Sequence, residues 1–179
     1  MIGKGVLYMS AMYKEGTVYQ MAFLVDDLEA AASDWCRRGA GPFYCFDDFE
    51  FSEMLYPVGA LSPRLSILLG YSGDTMIELI RVSDDSTGLF SATPAPAAHH
   101  VALLVNDIDD YLDAEGNRHQ LVMRGLFPTG TPIAMLDTRP ETGLLTELVT
   151  LDESVRAMID QMRQAAQDFR GEDLLRSFG

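Results

Sequence analysis

The sequence predicts an α+β fold of two paired βαβββ modules, followed by a C-terminal helix. Two observations predict it. The stretch 19–27 (YQMAFLVDD) resembles 99–107 (HHVALLVND), and each is an apolar, β-prone run that ends in an acidic residue. A second pair of stretches, 75–80 (TMIELI) and 144–149 (LLTELV), each carries one glutamate inside an apolar strand. A repeat of this size indicates a duplicated supersecondary unit.

The first module, residues 18–82, begins with a predicted strand over Val18 to Val25. A helix follows, and either Asp26 or Asp27 caps it because a short carboxylate accepts the free amides of the first turn. Apolar residues then recur at helical spacing. The remaining strands are predicted at 43–46 and 49–51, as one bent strand or two short ones, and at 65–69 and 75–81.

The first copy of the repeat is longer than the second. Gln20 to Glu78 spans 58 positions, whereas His100 to Glu147 spans 47, so the first copy carries an insertion of 11 residues. The stretch 52–63 contains two prolines and a glycine. We therefore predict that it is a loop and that it holds the insertion.

The second module, residues 98–150, follows a predicted linker over 83–97 that contains the Pro94-Ala95-Pro96 unit. It repeats the order of the first module, with Asp107 as the cap of its helix. Its strands are predicted at 99–105, 121–123, 131–136 and 144–150.

The two ends of the chain lie outside the repeat. Residues 1–17 are weakly patterned and are predicted to form an irregular N-terminal arm. Residues 151–179 contain an amphipathic helix that we expect to pack on the sheet or on a second subunit. Because this helix face and the sheet edges need cover, we predict a homodimer. The apolar face of the helix consists of Val155, Met158, Ile159 and Met162.

Composition narrows the class of protein. A chain of 179 residues with 47% hydrophobic and 22% charged residues is typical of a soluble globular protein. The net charge of −14 disfavours nucleic acid and anionic membranes as partners. Cys36 and Cys45 lack metal or redox spacing and indicate reduced thiols. Without a signal peptide or a membrane-spanning run in the sequence, we expect a cytoplasmic protein.

The repeat predicts a site. If the modules pair about a pseudo-twofold axis, their curled sheets form a cleft that receives the side chains of Gln20, Glu78, His100 and Glu147. A carboxylate inside an apolar strand is costly to bury without a partner. A divalent cation would supply that partner, because imidazole and carboxylate bind zinc, nickel, cobalt or manganese and an amide oxygen can complete the set.

The pattern resembles the vicinal oxygen chelate superfamily, also called the glyoxalase/bleomycin resistance/dioxygenase group. Its members include glyoxalase I, methylmalonyl-CoA epimerase, extradiol dioxygenases and fosfomycin-resistance proteins. The resemblance implies paired βαβββ modules around a metal cleft, although one fold hosts several chemistries. The stretches that carry it are 19–28, 39–43, 77–80, 99–102 and 146–149.

The four cleft residues differ among members of this superfamily. Gln20, Glu78, His100 and Glu147 resemble the metal ligands of eukaryotic-type glyoxalase I. Methylmalonyl-CoA epimerases typically show His, Gln, His and Glu instead. Extradiol dioxygenases need two histidines and one glutamate, and we expect His99 to point away from His100 because side chains alternate along a strand. The long substrate-specific segments of glyoxalase I are not recognisable, which leaves the substrate open.

The resemblance implies a metal-dependent lyase or isomerase/epimerase that removes a proton α to a carbonyl of a small molecule. Glu147 is the predicted base and Glu78 the acid or base on the opposite face, while Gln20 and His100 act as ligands only. The alternative is a metal-free protein of the same fold that sequesters an apolar or aromatic small molecule. The predicted pocket wall consists of Phe43, Phe46, Met54, Tyr56 and Met135.

Overall fold

A computed structural model describes residues 15–51, 53–55, 63–116 and 118–178 of the chain. Most of the predicted N-terminal arm and the pocket candidate Tyr56 therefore lie outside the described residues. The first half of the chain forms strand β1 (Val18–Leu24), helix α1 (Leu28–Cys36), and strands β2 (Phe43–Phe49), β3 (Glu53–Leu55), β4 (Arg64–Ser72) and β5 (Thr75–Asp84).

The second half repeats this order. It forms β6 (Ala97–Val105), α2 (Ile108–Glu115), β7 (Gln120–Leu126), β8 (Pro132–Asp137), the short α3 (Arg139–Thr142) and β9 (Leu145–Thr150). Helix α4 (Glu153–Asp168) and strand β10 (Leu175–Ser177) follow. The side chains of Asp27, Asp107 and Asp152 cap α1, α2 and α4, each accepting a hydrogen bond from a backbone amide of the first turn.

The ten strands of the described residues form one sheet, in the order β10-β2-β4-β5-β1-β6-β9-β8-β7-β3. The two modules join through the antiparallel pair β1 and β6, where Met21 faces Val101. On either side of this pair, Gln20 faces Ala102 and Ala22 faces His100. Since residues 20 and 22 are the repeat equivalents of 100 and 102, the pairing is that of a pseudo-twofold axis. The predicted fold of two paired βαβββ modules is confirmed.

Each outer edge of the paired modules is extended by a strand from elsewhere in the chain. Strand β3, which lies within the predicted insertion loop 52–63, pairs antiparallel with β7 of the second module. Strand β10, which the sequence did not predict, pairs in parallel with β2 of the first module. These additions protect the backbone edges of β7 and β2.

Different helices pack on the two faces of the sheet. On the outer face, α1 packs over a cluster that includes Phe43 and Leu79, and α2 packs over one that includes Leu136 and Leu148. On the inner face, Val155, Ile159 and Met162 of α4 are buried in the main apolar cluster. Three of the four predicted apolar-face residues of α4 are thus covered by their own chain, and the homodimer remains a prediction.

Strand β2 is one continuous strand with a bend. Residues 43–49 form one strand, and its pairing with β4 shifts between Phe46 and Phe49, where Asp48 has φ +47°. The bent-strand alternative is therefore the one observed. None of the helices among the described residues is long and apolar enough to cross a membrane.

Candidate active site

The four predicted cleft residues lie together on the inner face of the sheet. Gln20 is on β1 and His100 on β6, while Glu78 and Glu147 are on the flanking strands β5 and β9. Glu78 pairs with Ala22 and Glu147 with Ala102, which are equivalent positions of the two modules. The four residues are 5%, 8%, 3% and 6% exposed in the order Gln20, Glu78, His100 and Glu147. The cleft is formed within one chain.

His100 stands between the two carboxylates. Its Nε2 lies 3.2 Å from Oε2 of Glu78 and 3.6 Å from Oε2 of Glu147. Gln20 completes the group, because its Nε2 donates a hydrogen bond of 2.6 Å to Oε2 of Glu78. Although both carboxylates are near, His100 Nε2 has no hydrogen-bond partner with good geometry among the residues that the structure describes. A buried polar atom of this kind is unusual and points to a missing partner.

The protonation of this cluster follows from burial and from the opposed charges. Burial alone would lower the pKa of His100, but its contacts with Glu147 and Glu78 outweigh burial and raise the pKa to about 10. Burial raises the pKa of Glu78, and the contacts with His100 and Gln20 oppose that rise only in part. Without a bound cation, His100 is therefore the positive charge that the two carboxylates share.

A β-bulge brings a second histidine into the cluster. Ala22 pairs with His100 and Phe23 pairs with Ala98, so His99 is an extra residue without a partner on β1. Such a bulge re-aims side chains, often beside a functional site. The Nδ1 atoms of His99 and His100 lie 2.9 Å apart. The expectation that His99 points away from His100 is therefore wrong, because strand alternation is broken here.

The first module carries the matching bulge. Val18 pairs with Leu103 and Gln20 with Ala102, which leaves Tyr19 as the extra residue at the position equivalent to His99. The Tyr19 side chain lines the cavity of the inner face. Burial and the nearby charge of Glu147 raise its pKa well above the ordinary value for tyrosine. The phenol is thus a hydrogen-bond donor at neutral pH.

The segment between the modules supports His99. His99 Nε2 lies 3.0 Å from the carbonyl oxygen of Leu89, and the His99 ring stacks on Phe90 at a centroid distance of 4.9 Å. Asp85 fixes this segment by accepting bonds of 2.8 Å from the amides of Phe90 and Ser91. The stretch predicted as a linker is therefore an ordered support of the site.

A cavity of about 460 Å³ opens beside the cluster. Gln20, Glu78, His100 and Glu147 form part of its wall, and most other lining residues are apolar. Helix α4 contributes Val155, Ala157 and Met158 among others, so the C-terminal helix is a wall of the site. The phenylalanines of the lining are Phe46, Phe49, Phe51, Phe90, Phe127 and Phe178.

The predicted pocket wall is only partly the observed lining. Phe46 lines the cavity. Phe43 does not, because it lies on the outer face of the sheet under α1, where Gly70 leaves room for its ring. Met54 and Met135 are buried in the main apolar cluster but are not among the lining residues. Tyr19 and five of the six lining phenylalanines were not predicted from the sequence.

Solved structures of similar fold include an epimerase. A hypothetical protein from Bacillus halodurans C-125 is 16% identical, with a TM-score of 0.55, over 76% of this chain and 95% of that chain. Methylmalonyl-CoA epimerase from Mycobacterium tuberculosis is 18% identical, with a TM-score of 0.53, over 80% of this chain and 93% of that chain. No protein-family profile and no curated protein sequence matches the chain.

These likenesses define the class of fold. The chain has the same paired βαβββ fold as these two structures, with a cleft between the curled halves of its sheet. At this level of identity the comparison establishes the fold, and the chemistry has to be argued from the site.

Proposed function

We propose that the protein is an isomerase, epimerase or lyase that removes a proton α to a carbonyl group of a small molecule, with the help of a divalent cation. The observation that carries this proposal is the meeting of Glu78 and Glu147 at the buried imidazole of His100, on the wall of a cavity. Buried carboxylates of this kind are the groups that general acid–base catalysis requires.

The side chains present are suited to a cation, although the described residues hold no group of three or more His, Cys, Asp and Glu already arranged as a metal cluster. Two donors bound to one ion at about 2.1 Å lie about 3.0–3.4 Å from each other. The separation of His100 Nε2 from Glu78 Oε2 is 3.2 Å, within this range, and that from Glu147 Oε2 is 3.6 Å, slightly beyond it. The amide oxygen of Gln20 would complete a donor set that matches zinc, nickel, cobalt or manganese.

The residues of the site would have separate roles in the reaction. A bound cation would polarise the substrate carbonyl and stabilise the negative charge that develops on its oxygen. Glu147 takes the proton from the α carbon, and Glu78, on the other side of the β1 and β6 junction, can return a proton from the opposite side. Tyr19 is protonated and can donate a hydrogen bond to a substrate oxygen.

Deuterium exchange tests this proposal. The protein is incubated in deuterated water with each added cation and a panel of hemithioacetals, acyl thioesters and α-hydroxy ketones. Incorporation of deuterium at the α carbon of at least one compound is expected, and Glu147→Gln should lower its rate at least about 100-fold. His119→Ala is the matched control, since His119 pairs with Glu115 and does not line the cavity. Exchange that survives Glu147→Gln would contradict the assigned base.

Sequestration of an apolar ligand is the second candidate function. The apolar lining of the cavity favours it, because such a surface binds small molecules without any reaction. The two candidate functions differ in whether the protein retains a divalent cation and whether it exchanges the α hydrogen of a ligand. A protein that binds an apolar ligand tightly, retains no divalent cation and exchanges no α hydrogen would be a binding protein.

A further inference from the structure

We infer that the cavity selects an uncharged carbonyl compound with a bulky aromatic substituent, and discriminates against compounds that carry an anionic group into the cavity. This inference rests on the proposed function, since it names the substrate class of the same site. Three features of the cavity carry it: an aromatic wall, a localised polar end, and the sign of the charges in the lining.

The aromatic wall is built from distant parts of the chain. Phe49 meets Phe51 edge to face at 5.0 Å and Phe127 at 6.2 Å, while Phe51 and Phe127 are nearly parallel at 6.1 Å. Phe46 and Phe178 approach to 5.3 Å. Edge-to-face and offset contacts are the preferred packing of aromatic rings. A flat aromatic group of a ligand can extend these contacts.

The polar end is limited to one cluster. The carboxylates of Glu78 and Glu147 flank His100 there, and Gln20 and Tyr19 adjoin them in the lining. A carbonyl oxygen finds hydrogen-bond donors in this cluster, whereas the rest of a ligand meets mostly hydrocarbon. Small-molecule sites commonly combine an apolar wall with a few polar groups that orient the ligand.

The charges of the lining disfavour an anion. The described residues that line the cavity include no lysine or arginine, and the imidazole of His100 already lies between the carboxylates of Glu78 and Glu147. Three arginines close in sequence to lining residues are engaged elsewhere, since Arg64 faces Glu50, Arg81 donates to the hydroxyl of Ser66 and Arg163 binds Asp74. A carboxylate or phosphate inside the cavity would lose its hydration without gaining a free cation as its partner. The net charge of −14 repels an anion at longer range.

A matched pair of ligands tests the inference by binding alone. Benzoin is a neutral α-hydroxy ketone with two phenyl rings, and 4-carboxybenzoin differs by one carboxylate on a ring. Isothermal titration calorimetry at neutral pH, with and without zinc, should show benzoin binding at least about tenfold more tightly, because the carboxylate is desolvated without a partner. Absence of benzoin binding, or equal or tighter binding of the carboxylate, would overturn the inference.

A charge added at the cavity provides the second test. Gln161 lines the cavity and is exposed, so Gln161→Arg places a cation at the lining without disturbing the core. We expect 4-carboxybenzoin to bind about two- to fivefold more tightly to this variant, with little change for benzoin. Gln164→Arg is the control, since Gln164 is exposed on the same helix outside the lining. An unchanged ratio of the two affinities in Gln161→Arg would contradict the charge argument.

The outcomes separate this inference from the proposed function. Binding of benzoin without exchange of its α hydrogen would support the substrate class and contradict the enzyme proposal. Exchange with an anionic acyl thioester, together with no binding of benzoin, would support the enzyme proposal and overturn the substrate class.

Discussion

The Nδ1 atom of His99 lies 2.9 Å from the Nδ1 atom of His100. The Leu89 carbonyl near His99 Nε2 can only accept, so this nitrogen carries the hydrogen. Burial and the charge of His100 lower the pKa of His99 to about 4, and its ring is therefore neutral. Its Nδ1 must then accept a hydrogen bond from His100. The relationship fixes Nε2 of His100 as the nitrogen that faces Glu78 and Glu147.

Replacing His99 should disturb His100 without touching the carboxylates. His99→Leu leaves the Nδ1 hydrogen of His100 buried without an acceptor, which should cost about 1–3 kcal/mol of stability. Zinc affinity should fall about 10-fold or more, because the partner that orients a ligand is lost. His99→Asn, which can place an amide oxygen near the same hydrogen, should recover part of both losses. Urea denaturation and zinc titration measure these effects.

The nitrogen NMR shifts of His100 in the metal-free protein provide a readout that a general packing role would not move. In the wild type, the signals should show Nδ1 bonded to hydrogen and in a hydrogen bond. His99→Leu should shift the Nδ1 signal, and His99→Asn should shift it less. Identical His100 signals in all three proteins would show that His99 does not orient the ring.

Removal of a cleft donor should remove the cation. We expect His100→Ala and Glu147→Gln each to lose most of the bound divalent metal, because a site that lacks one of four ligands loses much of its affinity. Elemental mass spectrometry of purified protein measures the occupancy. His119→Ala should keep it, since His119 contacts Glu115 at 2.7 Å outside the cleft. Unchanged occupancy in both cleft variants would end the metal hypothesis.

The repeat predicted the cleft residues because the side chains of a regular strand alternate between the two faces of the sheet, and this alternation is visible in the sequence. Glu78 and Glu147 face Ala22 and Ala102 because equivalent apolar stretches adopt equivalent registers. The bulges at Tyr19 and His99 could not be predicted, since a bulge depends on how two strands pair. Strand alternation alone, however, would have excluded one residue that was wrongly predicted to line the pocket.

That residue is Phe43. Phe43 and Cys45 face the outer cluster, whereas Tyr44 and Phe46 face the inner one, as a two-residue period requires. Of the two β2 residues predicted to line the pocket, this period would have kept Phe46 and excluded Phe43. The phenylalanines at 127 and 178 left no such signal, because they follow the ends of β7 and β10 and only tertiary packing brings them to the cavity.

Asp85 should make the stability of the site segment depend on pH. Burial raises the pKa of Asp85, but bonds from Thr87, Ser91 and Phe90 outweigh burial and lower it below the ordinary value. A lowered carboxyl pKa stabilises the folded protein above about pH 4, and this contribution is lost as pH falls through the folded-state value. Asp85→Asn should therefore cost about 1–2 kcal/mol at pH 7 and less at pH 3.

Urea denaturation of the wild type and Asp85→Asn at the two pH values measures that difference. The exposed neighbour provides the control, and Asp84→Asn should change stability little at either pH. A cost of Asp85→Asn that does not shrink at pH 3 would show that the charge of Asp85 is not what holds the segment.

The close approach of Gly70 to Phe43 predicts a pair of coupled substitutions. A Cβ at Gly70 would lie 2.7 Å from Cδ1 of Phe43, closer than packed atoms can approach. Gly70→Ala should therefore destabilise the protein by about 1–3 kcal/mol. Phe43→Leu should relieve the clash, so the double variant should lose less stability than the two single variants together. Because Phe43 lies on the outer face, the affinity for benzoin should be unchanged in Phe43→Leu. Additive losses in urea denaturation, or a loss of ligand affinity in Phe43→Leu, would contradict this placement of Phe43.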